Sequence, residues 1–365
     1  MKVAVITPLF SLAGVPLAQQ RMATALARKG FEVDMIIGYL DPQFEYHSPV
    51  GVNTIVLNKK RVRGFFFPLI KYVLKNKPQI IFSAEDHLNI VVLFALIFSG
   101  SHAKVSCSSR VTPFDTYRGY NTILTKGWIL RLLMRVTMPR ADVLTCVSKD
   151  MVLQYKEVFA NSCHQYAYNI ISCASIRESM IEPVSHPWLL ADSVPVLIAA
   201  GRLAPWKGFD TLLRAVDCLK LRRRVRLIIL GDGPQRDELL GLAHSLKLDG
   251  IVDFLGYVRN PLKYFYRADV FVLSSIVEGM PNVLLEAMAC GCTPVATNCP
   301  TGPAEILGDG RAGYLTPVGD PEAMASSIDR ALNSPISKEN LYSALTPFGE
   351  SEVLKRHFNL LRVCL

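Results

Sequence analysis

The chain has 365 residues, of which 50% are hydrophobic and 19% charged, and its formal net charge is +9. This composition is typical of a globular protein with enough chain for two domains, and it excludes a disordered protein. The charge is uneven, because residues 1–172 have a net charge of +10 and the remaining residues one of −1.

Short apolar runs alternate with segments of helical periodicity along the whole chain, which predicts parallel sheets in doubly wound α/β domains. The first half predicts strands near residues 2–7, 32–38, 53–57, 79–83, 104–108, 142–147 and 164–168. The second half predicts strands near residues 195–200, 225–230, 251–254, 269–273, 293–296 and 313–316. Residues 173–193 lack periodicity and are rich in Ser, Pro and Glu. We therefore predict a linker there, between domains of residues 1–172 and 194–349.

Targeting and membrane segments are not expected. The apolar run that starts at Val3 breaks at Thr7 and Pro8 and has no convincing cleavage site, so we interpret it as the first strand, followed by a loop containing Gly14. The longest apolar stretch, residues 90–98, is too short to span a bilayer. The nine cysteines have no paired spacing, which favours reduced, buried thiols in a cytosolic protein.

The loop after the predicted strand at residues 195–200 contains two cations. Arg202 and Lys207 stand five residues apart in a loop bounded by glycines, and a helical pattern begins at Phe209. A guanidinium can bind phosphate oxygens in a fork, and an ammonium adds a compact charge. A solvated loop without a ligand is the alternative for these residues taken alone.

The next predicted strand ends in Gly231-Asp232-Gly233-Pro234. A dinucleotide fingerprint needs a third glycine where this chain has Arg236, so the turn predicts a poor NAD site. The glycines are also compatible with a plain turn between strand and helix.

Two acids flank the turn after the predicted strand at residues 269–273. Glu278 lies in the loop and Glu286 about one turn inside the following helix. Carboxylates accept hydrogen bonds from sugar hydroxyls and helix-start amides bind phosphate, a combination that suits a nucleotide sugar. Acids near a helix start also occur for stability alone. All three loops leave the same ends of parallel strands, where open α/β sheets bind ligands.

The order and spacing of these loops resemble the retaining glycosyltransferases of family four, which have the GT-B architecture. The motifs that carry the resemblance are Gly201-Arg202-Leu203 with Lys207-Gly208, Gly231-Asp232-Gly233-Pro234, and the E-x7-E run from Glu278 to Glu286. The resemblance is dense from about Val194 to Leu332 and thinner before that. It implies an α/β protein with two doubly wound Rossmann-like domains that face each other across a cleft. It also implies a C-terminal helix, residues 350–365, that packs back onto the first domain.

The resemblance assigns the nucleotide-sugar donor to residues 194–349. It implies that Arg202 and Lys207 hold the leaving diphosphate, that Glu278 contacts the sugar and that Glu286 binds the ribose; the predicted catalytic residues are Arg202, Lys207 and Glu278. The other predicted donor-binding residues are Gly14, Gly231, Tyr257, Val258, Gly279, Met280, Pro281, Asn282 and Val283. No metal or other cofactor is expected, because the two cations and the helix-start amides can take the negative charge.

The resemblance assigns the acceptor to residues 1–172. The candidate acceptor-side residues follow predicted strands and are Glu85, His87, Ser109, Arg110 and Ser148. Many relatives have a histidine where this chain has Ser109 and Arg110. This departure puts a histidine-dependent step in doubt and makes Arg110 a plausible phosphate contact. His87 fits a capping or surface position equally well.

The basic first half indicates an anionic partner. Residues 59–67 combine four cations with three phenylalanines, and Arg131, Arg135 and Arg140 alternate with apolar residues. Such a surface suits an anionic membrane or a polyprenyl-diphosphate acceptor. A soluble basic face with buried phenylalanines is the alternative. Nucleic acid is not expected, because no recognition module is present.

The sequence therefore predicts a retaining glycosyltransferase that moves a hexose or N-acetylhexosamine from a UDP-sugar to a lipid-linked or polysaccharide acceptor in cell-surface glycan biosynthesis. The predicted location is cytoplasmic and peripheral, on the inner face of the plasma membrane. Two other classes remain open: a UDP-sugar epimerase of the same architecture and a non-catalytic nucleotide-sugar-binding protein.

Overall fold

The computed structural model describes residues 1–11, 14–42, 46–119, 121–160, 162–190 and 194–364. The chain divides into two compact units. The first consists of Met1–Ile170 with Glu350–Leu365, and the second of Ile171–Gly349. Each unit is built on its own parallel sheet.

The first unit contains a seven-stranded sheet in the order β3-β2-β1-β4-β5-β6-β7. Its strands are β1 (Lys2–Thr7), β2 (Glu32–Ile37), β3 (Val52–Val56), β4 (Ile80–Ala84), β5 (Lys104–Ser109), β6 (Val143–Cys146) and β7 (Gln165–Tyr166). Its first six helices are α1 (Gly14–Arg28), α2 (Phe66–Asn76), α3 (Asp86–Ser99), α4 (Pro113–Thr116), α5 (Lys126–Thr137) and α6 (Lys149–Val158). The central strands are continuous apolar runs because helices cover both faces of a parallel sheet.

The second unit contains a six-stranded parallel sheet in the order β10-β9-β8-β11-β12-β13. Its strands are β8 (Val196–Ala200), β9 (Arg226–Leu230), β10 (Val252–Gly256), β11 (Val270–Leu273), β12 (Thr293–Thr297) and β13 (Tyr314–Thr316). Its helices are α7 (Cys173–Met180), α8 (Phe209–Lys220), α9 (Arg236–Ser245), α10 (Leu262–Phe265), α11 (Asn282–Ala289), α12 (Pro303–Ile306), α13 (Pro321–Asn333) and α14 (Lys338–Leu345). Short 3-10 turns precede α2, follow α5 and α14, and cover Pro187–Leu189 and Pro205–Lys207.

The terminal helix α15 (Glu350–Leu361) belongs to the first unit. Phe358 on this helix stacks on Phe31 with ring centroids 5.2 Å apart, and Lys104 Nζ donates to the Leu361 carbonyl at 2.6 Å. Helix α15 therefore completes the apolar packing of the first sheet, although the whole second unit lies between α15 and this sheet in the sequence.

All thirteen predicted strands are present, and the predicted fold class of two parallel-sheet, Rossmann-like units is confirmed. The segment predicted as a linker, residues 173–193, begins with helix α7, and its residues 191–193 lie outside the described residues. Within the described ranges, no helix combines the length and the apolarity needed to cross a bilayer.

Each sheet has one topological switch point. In the first sheet the chain runs outward from β1 to β3 and then returns to place β4 on the other side of β1; β8 and β11 have the same relation in the second sheet. The loops that leave two such strands diverge and open a crevice at their carboxyl ends. The sequence-predicted candidates after β4, β8 and β11 lie at these two positions.

Candidate functional site

At the switch point of the second sheet, the loops after β8 and β11 bring Lys207 and Glu278 together. Lys207 Nζ lies 2.5 Å from Glu278 Oε1, and the side chains are 20% and 10% exposed. Ser275 Oγ donates to the same oxygen at 2.6 Å. No described residue donates to the other carboxylate oxygen, Oε2, which leaves it available for a ligand hydroxyl. Glu278 is therefore oriented before any ligand arrives.

Gly208 lets the two loops approach this closely. Its φ is +61°, and a Cβ at this position would lie 2.2 Å from the Ser274 carbonyl oxygen. The Ile276 amide donates to the Trp206 carbonyl at 2.8 Å, and Ser274 Oγ donates to the Lys207 carbonyl at 2.9 Å. These bonds fix the backbone that carries Lys207 against the loop that carries Glu278.

Arg202 lies in the same loop as Lys207 but is not part of the pair. Its side chain is exposed and has no hydrogen bond or ion pair to any described residue. The flanking backbone is fixed, because the amides of Gly201 and Leu203 donate to the carbonyls of Leu230 and Asp232 at 3.0 and 2.9 Å. An exposed guanidinium thus stands on a fixed loop, a suitable arrangement for a phosphate ligand.

Gly231 has a packing role. A Cβ there would lie 1.9 Å from the Gly201 carbonyl oxygen, and φ is +128°. The Gly231 amide donates to the Gly256 carbonyl at 2.7 Å, so it is already satisfied within the protein. Gly231 therefore allows the loops after β8 and β9 to touch backbone to backbone.

The loop after β12 contacts the turn between Glu278 and α11 and supports it. Thr301 Oγ1 donates to the Glu278 carbonyl, and a Cβ on Gly302 would lie 2.8 Å from Pro281 Cδ. Met280 and Pro281 are buried, while Gly279, Asn282 and Val283 are partly exposed. Helix α11 begins at Asn282, so the first amides of the helix follow this turn directly.

Glu286 lies inside α11 and is only 7% exposed. Burial, and then the Glu286 charge, raises the pKa of the neighbouring Cys290 to about 12. Tyr257 and Val258 directly follow β10, two strands from β8, and Tyr257 is half-exposed. Neither Tyr257 nor Val258 forms a hydrogen bond with Lys207 or Glu278. Gly14 begins α1 of the first unit with φ +59° and open space on its Cβ side.

Sequence reasoning missed three residues that support Glu278. Ser275 orients its carboxylate, Thr301 holds its carbonyl, and Thr297 Oγ1 donates to the Ser275 carbonyl at 2.5 Å. Cys299 is also influenced by Glu278. Burial, and then the Glu278 charge, raises the pKa of the Cys299 thiol to about 12, so the thiol remains neutral. The sequence signal that could have predicted this support is Ser274-Ser275 directly after β11, because serine hydroxyls can donate to a carboxylate in the same loop.

In the first unit, Glu85 occupies a strained position directly after β4. Its φ is +77°, a region that favours glycine and costs other residues roughly 1–3 kcal/mol. Its amide donates to the Ser108 carbonyl at 2.9 Å, and its carboxylate lies 3.2 Å from His87 Nε2. Burial raises the pKa of Glu85 to about 7, with the Arg110 charge opposing the shift and Asp86 adding to it. Burial also lowers the pKa of His87, and the Asp86 charge opposes this shift.

Arg110 is a partly buried cation whose hydrogen-bond acceptors are neutral. It donates to the Asn169 side chain and to Gln19 Oε1, the latter at 3.1 Å, and its buried Nε has no partner. Burial lowers the pKa of Arg110 to about 10, which leaves it charged at neutral pH. A partly buried cation whose hydrogen-bond partners are neutral favours binding of an anion.

Two of the candidate hydroxyls in the first unit serve the protein itself. Ser109 Oγ donates to Asp86 Oδ1 at 2.5 Å, and Ser148 Oγ caps α6 by accepting the Met151 amide at 3.3 Å. Asp86, which directly follows Glu85 in the chain, also accepts from Tyr117 Oη at 2.6 Å and Tyr155 Oη at 2.5 Å. This buried network fixes Asp86, which is next to Glu85 in the chain, and Ser109, which is next to Arg110.

The part of the chain that the structure describes contains no group of three or more His, Cys, Asp or Glu side chains arranged to hold a metal ion. The charged groups at the two switch points are instead side chains that can meet a ligand directly, Arg202, Lys207 and Glu278 in one unit and Glu85 and Arg110 in the other.

Residues 182–345, which include the Lys207–Glu278 pair, match the family model of the glycosyl transferases group 1. These residues belong to that family. The family predicted from the sequence, and with it the glycosyltransferase class, is thereby confirmed for this part of the chain.

Three curated relatives match this chain over different lengths. A Campylobacter jejuni "N-acetylgalactosamine-N,N'-diacetylbacillosaminyl-diphospho-undecaprenol 4-alpha-N-acetylgalactosaminyltransferase" is 30% identical over 67% of this chain and 64% of its own length. The lipopolysaccharide core biosynthesis glycosyltransferase LpsE of Rhizobium meliloti is 34% identical over 46% of this chain and 49% of its own. These matches thus span less than two thirds of either relative. The N-acetyl-alpha-D-glucosaminyl L-malate synthase of Bacillus anthracis is 25% identical over 88% of this chain and 85% of its own.

Two solved structures share the fold over almost the whole chain. Sucrose-phosphate synthase from Thermosynechococcus elongatus has a TM-score of 0.77 at 18% identity and covers 99% of this chain and 98% of its own. Anabaena Alr3699/HepE in complex with UDP has a TM-score of 0.77 at 18% identity, with coverage of 99% and 100%. At these identities the likeness concerns the fold, and it confirms the predicted GT-B class.

Proposed function

We propose that this member of the glycosyl transferases group 1 is a retaining glycosyltransferase. It moves a hexose or N-acetylhexosamine from a UDP-sugar to a lipid-linked or polysaccharide acceptor in cell-surface glycan biosynthesis. The observation that carries the proposal is the oriented Lys207–Glu278 pair at the switch point of the second sheet, within the residues that match the family.

Two kinds of comparison support the choice of donor and acceptor. The Anabaena protein of similar fold has been solved in complex with UDP, and the Campylobacter relative is named for transfer to a diphospho-undecaprenol-linked sugar. A basic first half with a partly buried Arg110 suits a diphosphate-bearing acceptor. A lipid-linked acceptor also agrees with a peripheral location on the cytoplasmic face of the plasma membrane.

In the proposed reaction, Lys207 and Arg202 neutralise the donor diphosphate as it leaves. The bond from the anomeric carbon to the diphosphate oxygen breaks, and the acceptor hydroxyl oxygen bonds to that carbon on the same face. The hydroxyl proton passes to the departing phosphate oxygen, so no carboxylate nucleophile and no metal are needed. Lys207 is already held by Glu278, and the backbone that carries Arg202 is fixed, so little reorganisation is needed as charge develops.

Glu278 and Glu286 hold the two sugars of the donor in this proposal. Glu278 Oε2 accepts from a hydroxyl of the transferred sugar, and Glu286 accepts from the ribose. The acceptor-side residues are Glu85, His87 and Arg110. Ser109 and Ser148 act indirectly, because their hydroxyls already bond to Asp86 and to the start of α6.

Thermal shift with UDP and a panel of UDP-sugars tests the donor assignment, because a ligand that binds only the folded state raises the Tm. We expect UDP to stabilise the wild-type protein and one UDP-sugar to stabilise it further. In Glu278→Gln the UDP shift should persist and the additional sugar shift should be lost. Arg214→Ala, an exposed cation on α8, is the matched control and should behave like wild type. A wild-type protein that no UDP compound stabilises would overturn the assignment.

A further inference from the structure

Two large apolar side chains are exposed beside the Lys207–Glu278 pair of the second unit. Trp206 directly precedes Lys207 in the loop after β8. Ile276 lies two residues before Glu278 in the loop after β11. Trp206 and Ile276 are 46% and 48% exposed, whereas the side chains of the charged pair are 20% and 10% exposed. The site thus has an apolar part that is more open to solvent than its charged part.

The backbones that carry Trp206 and Ile276 are joined to each other. The Ile276 amide donates to the Trp206 carbonyl at 2.8 Å. The Lys207 amide donates to the Ala204 carbonyl at 2.9 Å, which closes the turn that contains Trp206. A Cβ on Gly208 would lie 3.8 Å from Ile276 Cγ1, so the isoleucine side chain lies beside this turn. We refer to the two exposed residues as the Trp206–Ile276 platform.

The indole ring of Trp206 is not used in the packing of the protein. All three tryptophans lie in described residues, and Trp128 and Trp188 are half-buried whereas Trp206 is exposed. The Trp188 ring packs against His186 and lies under the Arg226 guanidinium. The Trp206 ring makes no aromatic, cationic or hydrogen-bond contact with any residue that the structure describes. Its two faces and its N–H group are therefore available to a ligand.

The chemistry of the platform matches a sugar ring. A pyranose presents C–H groups on its faces and hydroxyl groups at its edge. An indole can cover the C–H groups with its apolar face and donate from its N–H group to a hydroxyl. Ile276 extends the apolar contact. Sites for small ligands commonly combine such apolar surface with a few polar groups that fix the orientation, and Lys207 and Glu278 are next to the platform.

The proposed reaction indicates which sugar the platform meets. The acceptor hydroxyl approaches the anomeric carbon on the face from which the diphosphate leaves, so the acceptor lies next to the diphosphate. In the proposed function Lys207 and Arg202 hold that diphosphate, and Trp206 is the neighbour of Lys207 in the chain. The transferred sugar is already held by Glu278. The platform is therefore placed for the acceptor.

We propose that the Trp206–Ile276 platform binds the terminal sugar ring of the acceptor and thereby positions the attacking hydroxyl. The inference rests on the proposed function, because the same-face reaction gives the acceptor its place beside the diphosphate. It adds a contact in the second unit to the acceptor-side residues of the first unit.

Tryptophan fluorescence tests the contact without any transfer. In the presence of UDP, a panel of methyl hexosides and methyl N-acetylhexosaminides is titrated into the full chain. At least one glycoside should change the emission of the wild-type protein. The change should be absent from Trp206→Phe, in which Trp128 and Trp188 are the remaining tryptophans. A wild-type protein that responds to no glycoside, or a full response in Trp206→Phe, would overturn the proposal.

Transfer kinetics with an extract of lipid-linked glycans separates acceptor binding from donor binding. Trp206→Ala should raise the KM for the acceptor roughly tenfold or more, because the ring contact is lost. The KM for the UDP-sugar and the Tm shift with UDP should stay within about twofold of the wild-type values. Trp206→Phe retains an apolar ring and should recover most of the acceptor affinity.

Tyr266→Ala is the matched control for these variants. Tyr266 is also an exposed aromatic residue of the second unit, but it lies between α10 and the start of β11, at the opposite edge of the sheet. Its removal should change neither KM. An unchanged acceptor KM in Trp206→Ala would overturn the proposal. Loss of the additional Tm shift with the UDP-sugar in that variant would also overturn it, and would assign the platform to the donor.

Failure of the proposed function has a different signature. A wild-type protein that transfers no sugar from any UDP-sugar would contradict the proposed function. The fluorescence titration would then decide by itself whether the platform binds a sugar ring.

Discussion

Glu85 combines backbone strain with a carboxyl group that holds its proton near neutral pH. The carboxyl group is influenced by Arg110 from the end of β5, by Asp86 on α3, and by His87, which contacts it. Glu85 has a φ that favours glycine and lies at the switch point of its sheet. Such strain at such a place is typical of a functional position. We therefore expect the ionisation of Glu85 to affect the stability of the first unit.

The stability prediction follows from the raised pKa of Glu85, which moves from 4.5 to about 7 on folding. The folded state binds more protons than the unfolded state between these values, so this group's contribution to stability is lost as the pH rises from about 5 to 7. The loss should be on the order of 2 kcal/mol, reduced from the full shift because the side chain is partly exposed. Glu85→Gln should remove this dependence.

Urea unfolding at a series of pH values measures the effect as the difference between wild type and Glu85→Gln. His164 and His357, whose pKa values burial lowers to about 4 and about 3, titrate in both proteins, so their contributions cancel in the difference. A constant difference between pH 5 and 7 would show that Glu85 is not perturbed.

At the scale of elements, the site of the second unit depends on how closely the loops after β8 and β11 approach. Gly208 is the N-cap residue of α8 with φ +61°, and any side chain there meets the Ser274 carbonyl. Gly208→Ala should destabilise the protein by roughly 2 kcal/mol or more and separate Lys207 from Glu278. Chemical denaturation and the UDP-induced Tm shift should both report the loss.

Gly241→Ala is the matched control for this substitution. Gly241 lies in α9 with open space on its Cβ side and without a positive φ. Alanine there should stabilise the protein by about 0.5–1 kcal/mol, because helical glycine is unfavourable. If Gly208→Ala and Gly241→Ala have the same small effect, the close contact of the two loops is not required.

Sequence pattern predicted these elements well because buried parallel strands are continuous apolar runs. All thirteen strands lie close to their predicted positions, although β7 contains only Gln165 and Tyr166. The Lys207–Glu278 contact agrees with the prediction that both loops leave the same sheet edge. The roles proposed for the individual site residues stay predictions.

Other features of the two sites could not be read from local pattern. Tyr155 bonds to Asp86 across 69 positions, and Thr301 bonds to Glu278 across 23 positions, so both contacts depend on the tertiary fold. The strained backbone at Glu85 is equally hidden, because glutamate gives no local signal for a positive φ. Ser109 and Ser148 were candidate acceptor-side residues because their hydroxyls follow predicted strands. In the folded chain, Ser109 donates to Asp86 and Ser148 accepts from the Met151 amide, and the sequence pattern does not reveal these bonds.

At the scale of the whole molecule, the two units differ in charge and in the groups they present. Residues 1–172 have the net charge of +10 and contain the partly buried Arg110, and the second unit has the family-matched residues with the Lys207–Glu278 pair. This division suits an enzyme whose anionic acceptor is bound by one unit and whose nucleotide sugar is bound by the other.

The most direct test of the central claim is a sugar-transfer assay that measures UDP release and the glycosylated product together. The donors are a panel of UDP-sugars, and the acceptor is an extract of lipid-linked glycans. The wild-type protein should release UDP and form product in equal amounts with one donor. Arg202→Ala with Lys207→Ala should reduce turnover by about 10²-fold or more, since the charge of the leaving diphosphate is then unmatched. Full activity of that double variant, or donor binding by wild type without any transfer, would contradict the account.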